Sequence, residues 1–166
     1  MRNILILGAG AGGTIVANML RKELSEKEWR ITIIDRDERH YYQPGYLFIP
    51  FGVYSEQDVI KPKKEFIPRG VDFILDEIVK VDPGQRRVET RLGQYDYDWL
   101  IIATGCDIQP SEIDGMMDAW QTDIFDFYTL EGSMALRQKL KYFEAGRVVL
   151  NIAEIPYKCP IAPLEF

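Results

Sequence analysis

The residues Gly8-Ala9-Gly10-Ala11-Gly12-Gly13 stand between a short apolar run, Ile4 to Leu7, and a segment whose apolar residues Ile15, Val16, Met19 and Leu20 recur at helical spacing. Strand, glycine turn and helix follow one another. In this arrangement Gly8 permits a tight turn, Gly10 lets the backbone approach a phosphate, and Gly13 allows the helix to pack on the strand, which is the logic of the G-x-G-x-x-G fingerprint of dinucleotide sites. The start of the helix adds unpaired N–H groups and the positive end of a dipole. Glycine turns without ligands are common, so the weight rests on the flanking strand and helix.

Further on, Ile31-Thr32-Ile33-Ile34 forms a second apolar run that ends in Asp35. A carboxylate at that strand end can accept hydrogen bonds from both free hydroxyls of an adenosine ribose and repels a 2′-phosphate. Arg36 and Arg39 follow closely and either soften that exclusion or are solvated loop charges.

The length of 166 residues and the hydrophobic share of 46% suit a well-buried globular body. With a net charge of −6 and Lys61, Lys63 and Lys64 broken up by Pro62 and Glu65, there is no basic stripe for nucleic acid. Met1-Arg2-Asn3 runs straight into the first strand without the pattern of a secretory signal, which makes the cytoplasm the default. No apolar run reaches the ~18 residues needed to cross a bilayer. Cys106 and Cys159 do not make a disulfide framework, and the lone His40, in an aromatic loop, suits packing or hydrogen bonding rather than metal catalysis.

Between Asp37 and Pro68 the chain loses its period and is rich in Tyr, Pro and Gly, which suggests a long, partly ordered excursion packed through Tyr41, Tyr42, Tyr46, Phe48 and Phe51. Short runs at Val71–Leu75, Glu77–Val81, Arg87–Leu92 and Tyr97–Ile102, punctuated by Pro83-Gly84-Gln85 and Gly93, predict a small antiparallel meander. It closes in Trp99-Leu100-Ile101-Ile102-Ala103-Thr104-Gly105, expected as a fully buried strand whose small terminal residues let something lie across its end. Thr129 is positioned to cap a helix with apolar residues Leu130, Met134, Leu140 and Phe143, ending at Gly146. Arg147 to Ala153 is expected as another strand. It either begins a second, truncated dinucleotide unit, which would make the chain a fragment, or folds back onto the first sheet.

On these residues the chain resembles the FAD-dependent pyridine nucleotide-disulfide oxidoreductase superfamily, and within it the N-terminal part of the sulfide:quinone oxidoreductases. The general marks are Gly8, Gly10, Gly13, Asp35 and Ala103-Thr104-Gly105. More particular are His40-Tyr41-Tyr42-Gln43-Pro44-Gly45 and Pro156-Tyr157-Lys158-Cys159-Pro160-Ile161-Ala162-Pro163. The fold so implied is α/β: a Rossmann-like FAD-binding domain with a parallel sheet and a small antiparallel meander, part of a flavoprotein with two dinucleotide domains. Its divisions would be residues 1–110 for the FAD domain, 111–145 for a connecting segment with a helix, and 146–166 for the start of the second domain.

The resemblance further implies that the Ala11 and Gly12 amides help hold the pyrophosphate, Asp35 the ribose and the Ile78 backbone the adenine. Pro44 would lie near the isoalloxazine, and Ala103, Thr104 and Gly105 would line the cofactor path. Cys159 would be one of a redox pair that carries persulfide sulfur and delivers electrons to the flavin. Its partner cysteine, the quinone pocket and the helices that make peripheral membrane contact would lie in parts this chain lacks, so the isolated chain is expected to be inactive, with self-association open to it. From its own surroundings Cys159 is either a structural cysteine or a reactive thiol. A free thiol titrates near about 8.5 and needs help to ionise, and the adjacent Lys158 need not supply it, because neighbouring side chains in an extended segment point to opposite faces. Cys106 is expected as a small, half-buried packing residue. The competing functions are a type II NADH dehydrogenase, a flavocytochrome-linked sulfide dehydrogenase and a non-catalytic nucleotide-binding module.

Overall fold

The computed structural model describes residues 1–153, 155–159 and 161–165. In chain order the strands are β1 (Arg2–Leu7), β2 (Trp29–Asp35), β3 (Arg39–Tyr41), β4 (Ile60–Pro62), β5 (Val71–Leu75), β6 (Ile78–Asp82), β7 (Arg87–Thr90), β8 (Gln94–Asp96) and β9 (Trp99–Ile102). The helices are α1 (Ala11–Glu23), α2 (Glu56–Val59), α3 (Leu130–Lys141) and α4 (Ala162–Glu165). Contacts group the chain into two compact units, Met1–Tyr41 with Ile60–Cys106, and Tyr42–Val59 with Asp107–Phe166.

The first unit is built on a parallel sheet of order β5-β2-β1-β9. Its central strands are apolar along their buried stretches, Ile4–Leu7 and Ile31–Ile34 with Thr32 the one exception, because both faces are covered there. Ile4 and Ile6 of β1 and Ile31 and Ile33 of β2 pack with Ala17, Val16 and Leu20 of α1. Leu5, Leu7 and Ile34 turn to the other face, where Val88, Val81 and Tyr95 of the antiparallel β6-β7-β8 meander cover them. Each such side chain taken fully out of water stabilises the fold by roughly 1.5–3 kcal/mol before entropy is counted.

Two strand expectations change here. Val71–Leu75 is not part of the meander; it joins the sheet as β5, parallel to β2, with Ile33 opposite Phe73. β9 is likewise parallel to β1 and forms the sheet edge, so it is not fully buried: Trp99 is 64% and Ile102 67% exposed. An apolar run is common to buried and edge strands, and only the strand order separates them.

The excursion after β2 is ordered. β3 and β4 pair antiparallel, with His40 opposite Lys61, and a short 3-10 turn, Lys63–Glu65, follows β4. Residues 42–59 belong to the second unit, where Gly45, Tyr46 and Leu47 in a 3-10 turn (Gln43–Phe48) are buried with Ile49 and Val59. Tyr42 and Phe51 are more than half exposed, so the aromatic packing is narrower than the sequence suggests.

Thr129 caps α3 as expected, its hydroxyl accepting the Gly132 N–H at 2.9 Å. The helix nevertheless stops at Lys141 rather than near Gly146, and its buried residues are Gly132, Ser133 and Leu136. The burial of the first turn has a local cause: the buried Asp126 carboxylate accepts the N–H groups of Tyr128 and Thr129 at 2.8 and 2.6 Å, and a Cβ on Gly132 would lie 2.0 Å from it. That contact turns the small face of the first turn inward. Residues 147–153 form no strand, and Val149 is 71% exposed. A strand exists only as one side of a ladder, and among the described residues none pairs with this run, so it adds no strand to the first sheet.

Candidate dinucleotide-binding site

Because β1, β2, β5 and β9 are parallel, their carboxyl ends lie along one edge, the place where open α/β sheets bind ligands. That edge brings together Gly8 after β1, Asp35 at the end of β2 and Ala103 after β9. Backbone hydrogen bonds fix the meeting: Gly8 donates to Ile34 at 2.8 Å and Ala103 to Leu7 at 2.7 Å.

The glycines of the turn do different work. Gly8 has a φ of +93°, and a Cβ on it would lie 2.3 Å from the Ala103 carbonyl oxygen. A Cβ on Gly13 would lie 1.9 Å from the Gly8 carbonyl oxygen, so the helix can sit this close to the turn only with glycine there. Around the Cβ position of Gly10 there is nothing within 4 Å. Gly10 is also the N-cap of α1, with no side-chain cap and no acidic residue in the first turn. Its carbonyl receives the Thr14 N–H at 3.0 Å and the Thr14 hydroxyl at 2.8 Å. The amides of the first turn have no partner inside the helix, and Ala11 and Gly12 are exposed. Open space over Gly10, uncapped amides and the absence of an acidic residue from the first turn of α1 fit a diphosphate.

Asp35 is half-buried and already engaged. Its Oδ2 accepts the Ala9 N–H at 2.6 Å and lies 2.7 Å from the Lys63 Nζ, while Oδ1 accepts the Asp37 N–H at 3.0 Å. Lys63 is only 5% exposed, and its ammonium also donates to the Asp37 carbonyl at 2.8 Å. Sequence reasoning missed this lysine. Within a broken basic run nothing marks it apart from Lys61 or Lys64, and its partner lies 28 positions earlier.

Arg39 pairs with Asp37 at 3.2 Å. Burial would raise the Asp37 carboxyl, but hydrogen bonds from the Arg39 side chain and backbone and from the Tyr41 hydroxyl outweigh it and hold the carboxyl down at about 2. His40 stacks at 4.4 Å on Phe66 in a tilted arrangement. Burial lowers its pKa, the Lys63 charge lowers it further, and a backbone hydrogen bond with Ala9 opposes both.

Ile78 opens β6 opposite Thr90, at an irregularity in the register. The buried Asp76 fixes this start by accepting the Glu77 N–H at 2.8 Å and the Leu92 N–H at 3.2 Å. Thr104 and Gly105 are exposed beyond β9, Gly105 at a φ of +81° with open space around it. Cys106 follows them, beyond the end of β9, and is exposed, not half-buried.

Pro44 and Cys159 belong to the second unit, and both are exposed. Cys159 has a φ of +53°, a left-handed conformation that is costly for a residue with a Cβ. Its segment is tied down just before the cysteine: the Tyr128 hydroxyl donates to the Lys158 carbonyl at 2.6 Å, and the Lys158 ammonium donates to the Gln43 side-chain oxygen. Lys158 is therefore engaged with Gln43, and the left-handed backbone at Cys159 means the segment is not the extended run expected from the sequence. Pro160 and Phe166, both named from sequence, lie outside the described residues. Among the described residues no three His, Cys, Asp or Glu side chains cluster as a metal site, and no helix is long and apolar enough to cross a membrane.

The parallel sheet, glycine turn and acidic strand end define a Rossmann-type dinucleotide-binding fold. The family of pyridine nucleotide-disulphide oxidoreductases matches residues 2–150, and the chain belongs to it. Its cofactor is therefore FAD, as in the flavoproteins of this family. The chain is 29% identical to the mitochondrial sulfide:quinone oxidoreductase of Dictyostelium discoideum over 163 residues, covering 96% of this chain and 36% of the relative. It is 36% identical to a type II NADH:quinone oxidoreductase of Staphylococcus haemolyticus over 118 residues, covering 70% of this chain and 29% of that one. The crystal structure of the sulfide:quinone oxidoreductase of Aquifex aeolicus superposes with a TM-score of 0.67 at 23% identity, over 86% of this chain and 32% of that one, which shows the shared fold. The chain thus spans about a third of the length of these proteins.

Proposed function

We propose that this chain is the FAD-holding portion of a flavoprotein that oxidises sulfide and passes the electrons to a quinone. The observation that carries the reading is Cys159, exposed in a left-handed backbone position within Pro-Tyr-Lys-Cys, in a chain whose similarity to a sulfide:quinone oxidoreductase takes in 96% of its length. Uncapped amides at Ala11 and Gly12 hold the diphosphate of FAD, Asp35 takes a ribose hydroxyl, the Ile78 backbone meets the adenine, and Ala103, Thr104 and Gly105 border the cofactor. Pro44 is the residue that the family resemblance assigns to the flavin ring. FAD, when bound, supplies a two-electron acceptor. The Cys159 thiolate holds the sulfur, since a soft nucleophile is what that task requires, and it works with a second cysteine outside this chain. Membrane contact, where the quinone is met, belongs to the remainder of the protein, on its cytoplasmic side.

The test is a Cys159→Ser substitution in the full-length flavoprotein. A serine hydroxyl neither ionises usefully nor forms a persulfide, so the flavin spectrum should survive while anaerobic bleaching by sulfide is lost. Cys106→Ser should bleach normally. Bleaching of the Cys159 variant at the wild-type rate would overturn the reading. A second reading, an NADH:quinone oxidoreductase, is favoured by the 36% identity to the staphylococcal relative; that enzyme would bleach with NADH and be indifferent to Cys159.

A further inference from the structure

We infer that Lys63 is a positioning residue of the cofactor site, acting on the dinucleotide through Asp35; the inference rests on the reading that Asp35 meets the ribose of FAD. Lys63 is almost wholly buried, yet it carries a charge, and a lysine is rarely found so unless it is paired. The two contacts of its ammonium serve the same strand end: the Asp35 carboxylate at 2.7 Å and the Asp37 carbonyl at 2.8 Å. The same Asp35 oxygen receives the Ala9 N–H from inside the glycine turn at 2.6 Å. Lys63, Asp35 and Ala9 therefore form one chain of contacts from the turn after β4 to the turn that faces the diphosphate.

This arrangement does two things. An ionised carboxylate offers about four lone-pair positions. Lys63 and Ala9 fill those of Oδ2 and Asp37 takes one on Oδ1, so among the described residues one position is left, on Oδ1. Asp35 is thereby set to receive a single ribose hydroxyl in a fixed orientation, not two. The lysine charge also cancels that of a carboxylate standing beside a site for an anionic diphosphate. Removing Lys63 leaves a half-buried negative charge next to the phosphates, and it frees the carboxylate to turn away from Ala9.

The experiment is a double-mutant cycle on this chain, with the dissociation constant of FAD read by quenching of flavin fluorescence and thermal unfolding followed in parallel. Lys63→Met should weaken FAD binding tenfold or more, whereas in an Asp35→Asn background the same change should alter the constant less than threefold. A purely structural lysine would lower the unfolding temperature without that coupling. If Lys63→Met alone does not fold, Asp35→Asn and the double variant carry the comparison: equal constants support the inference and a further tenfold loss in the double variant overturns it. Wild-type affinity in folded Lys63→Met, alongside loss of FAD in Gly10→Val, would overturn the role of Lys63 and leave the cofactor site standing. Undiminished affinity in both variants, or no binding by the wild type, would overturn the site reading and Lys63 with it.

Discussion

A Cβ on Gly8 would lie 2.3 Å from the carbonyl oxygen of Ala103, so the turn after β1 and the end of β9 touch backbone to backbone. The contact joins the carboxyl ends of β1 and β9, the edge where the proposed cofactor site lies. Gly8→Ala should therefore fail as a folding variant: the new methyl group meets backbone, and the φ of +93° is strained for alanine. A loss of stability on the order of 2 kcal/mol or more is expected from urea unfolding. Unfolding at the wild-type midpoint would mean the turn does not hold this geometry.

Gly10 should behave in the opposite way. Its φ of −74° and ψ of −164° are open to any residue, and nothing lies within 4 Å of its Cβ position. Gly10→Val should fold with a cost of about 1 kcal/mol, the loss of a good N-cap residue, while its side chain fills the space meant for the diphosphate. Equilibrium binding of FAD should fall at least a hundredfold. Unchanged affinity in the folded variant would displace the cofactor from this turn.

Asp37 makes stability depend on acid. Its carboxyl is held at about 2 against an ordinary 3.8, so its contribution is fully present above pH 3.8 and is lost as the pH falls toward 2. In Asp37→Asn that contribution is absent at all pH values. The gap in unfolding midpoint between wild type and variant should accordingly be largest near neutrality and should close below pH 3.8. A gap that stays constant as the pH falls from 3.8 to about 2 would contradict the assignment.

Tyr128 anchors the segment before Cys159. Burial raises its phenol above the ordinary value, with the charges of Cys159 and Tyr157 adding to the rise, so it stays a hydrogen-bond donor at neutral pH. Tyr128→Phe removes the 2.6 Å bond to the Lys158 carbonyl, a local loss of about 1 kcal/mol. Amide exchange at residues 157–159 should quicken several-fold while the sheet strands keep their protection. Unaltered exchange there would show that the bond does not hold the segment.

Much of this was legible in the chain, and for identifiable reasons. The turn from Gly8 to Gly13 and the strand ending at Asp35 are local patterns, in which a few neighbouring residues determine strand, turn and helix together. The cap at Thr129 is equally local. What was not legible depends on distant pairing. Val71–Leu75 and Trp99–Ile102 have the composition of strands, but whether each lies in the meander or the parallel sheet, at its edge or its centre, is decided by neighbours far along the chain. Val148–Ile152 has strand composition as well and remains irregular for want of a partner. Lys63 illustrates the same limit at the site: its meaning comes from Asp35, and no spacing rule links the two.

The proposed function turns on which donor reduces the flavin. The most direct measurement is anaerobic titration of the full-length flavoprotein with sulfide and, separately, with NADH, followed at the visible absorption band of the flavin. Full bleaching by one equivalent of sulfide and little change with NADH is the predicted result. Rapid bleaching by NADH with no response to sulfide would contradict the proposed function and make the chain part of an NADH:quinone oxidoreductase.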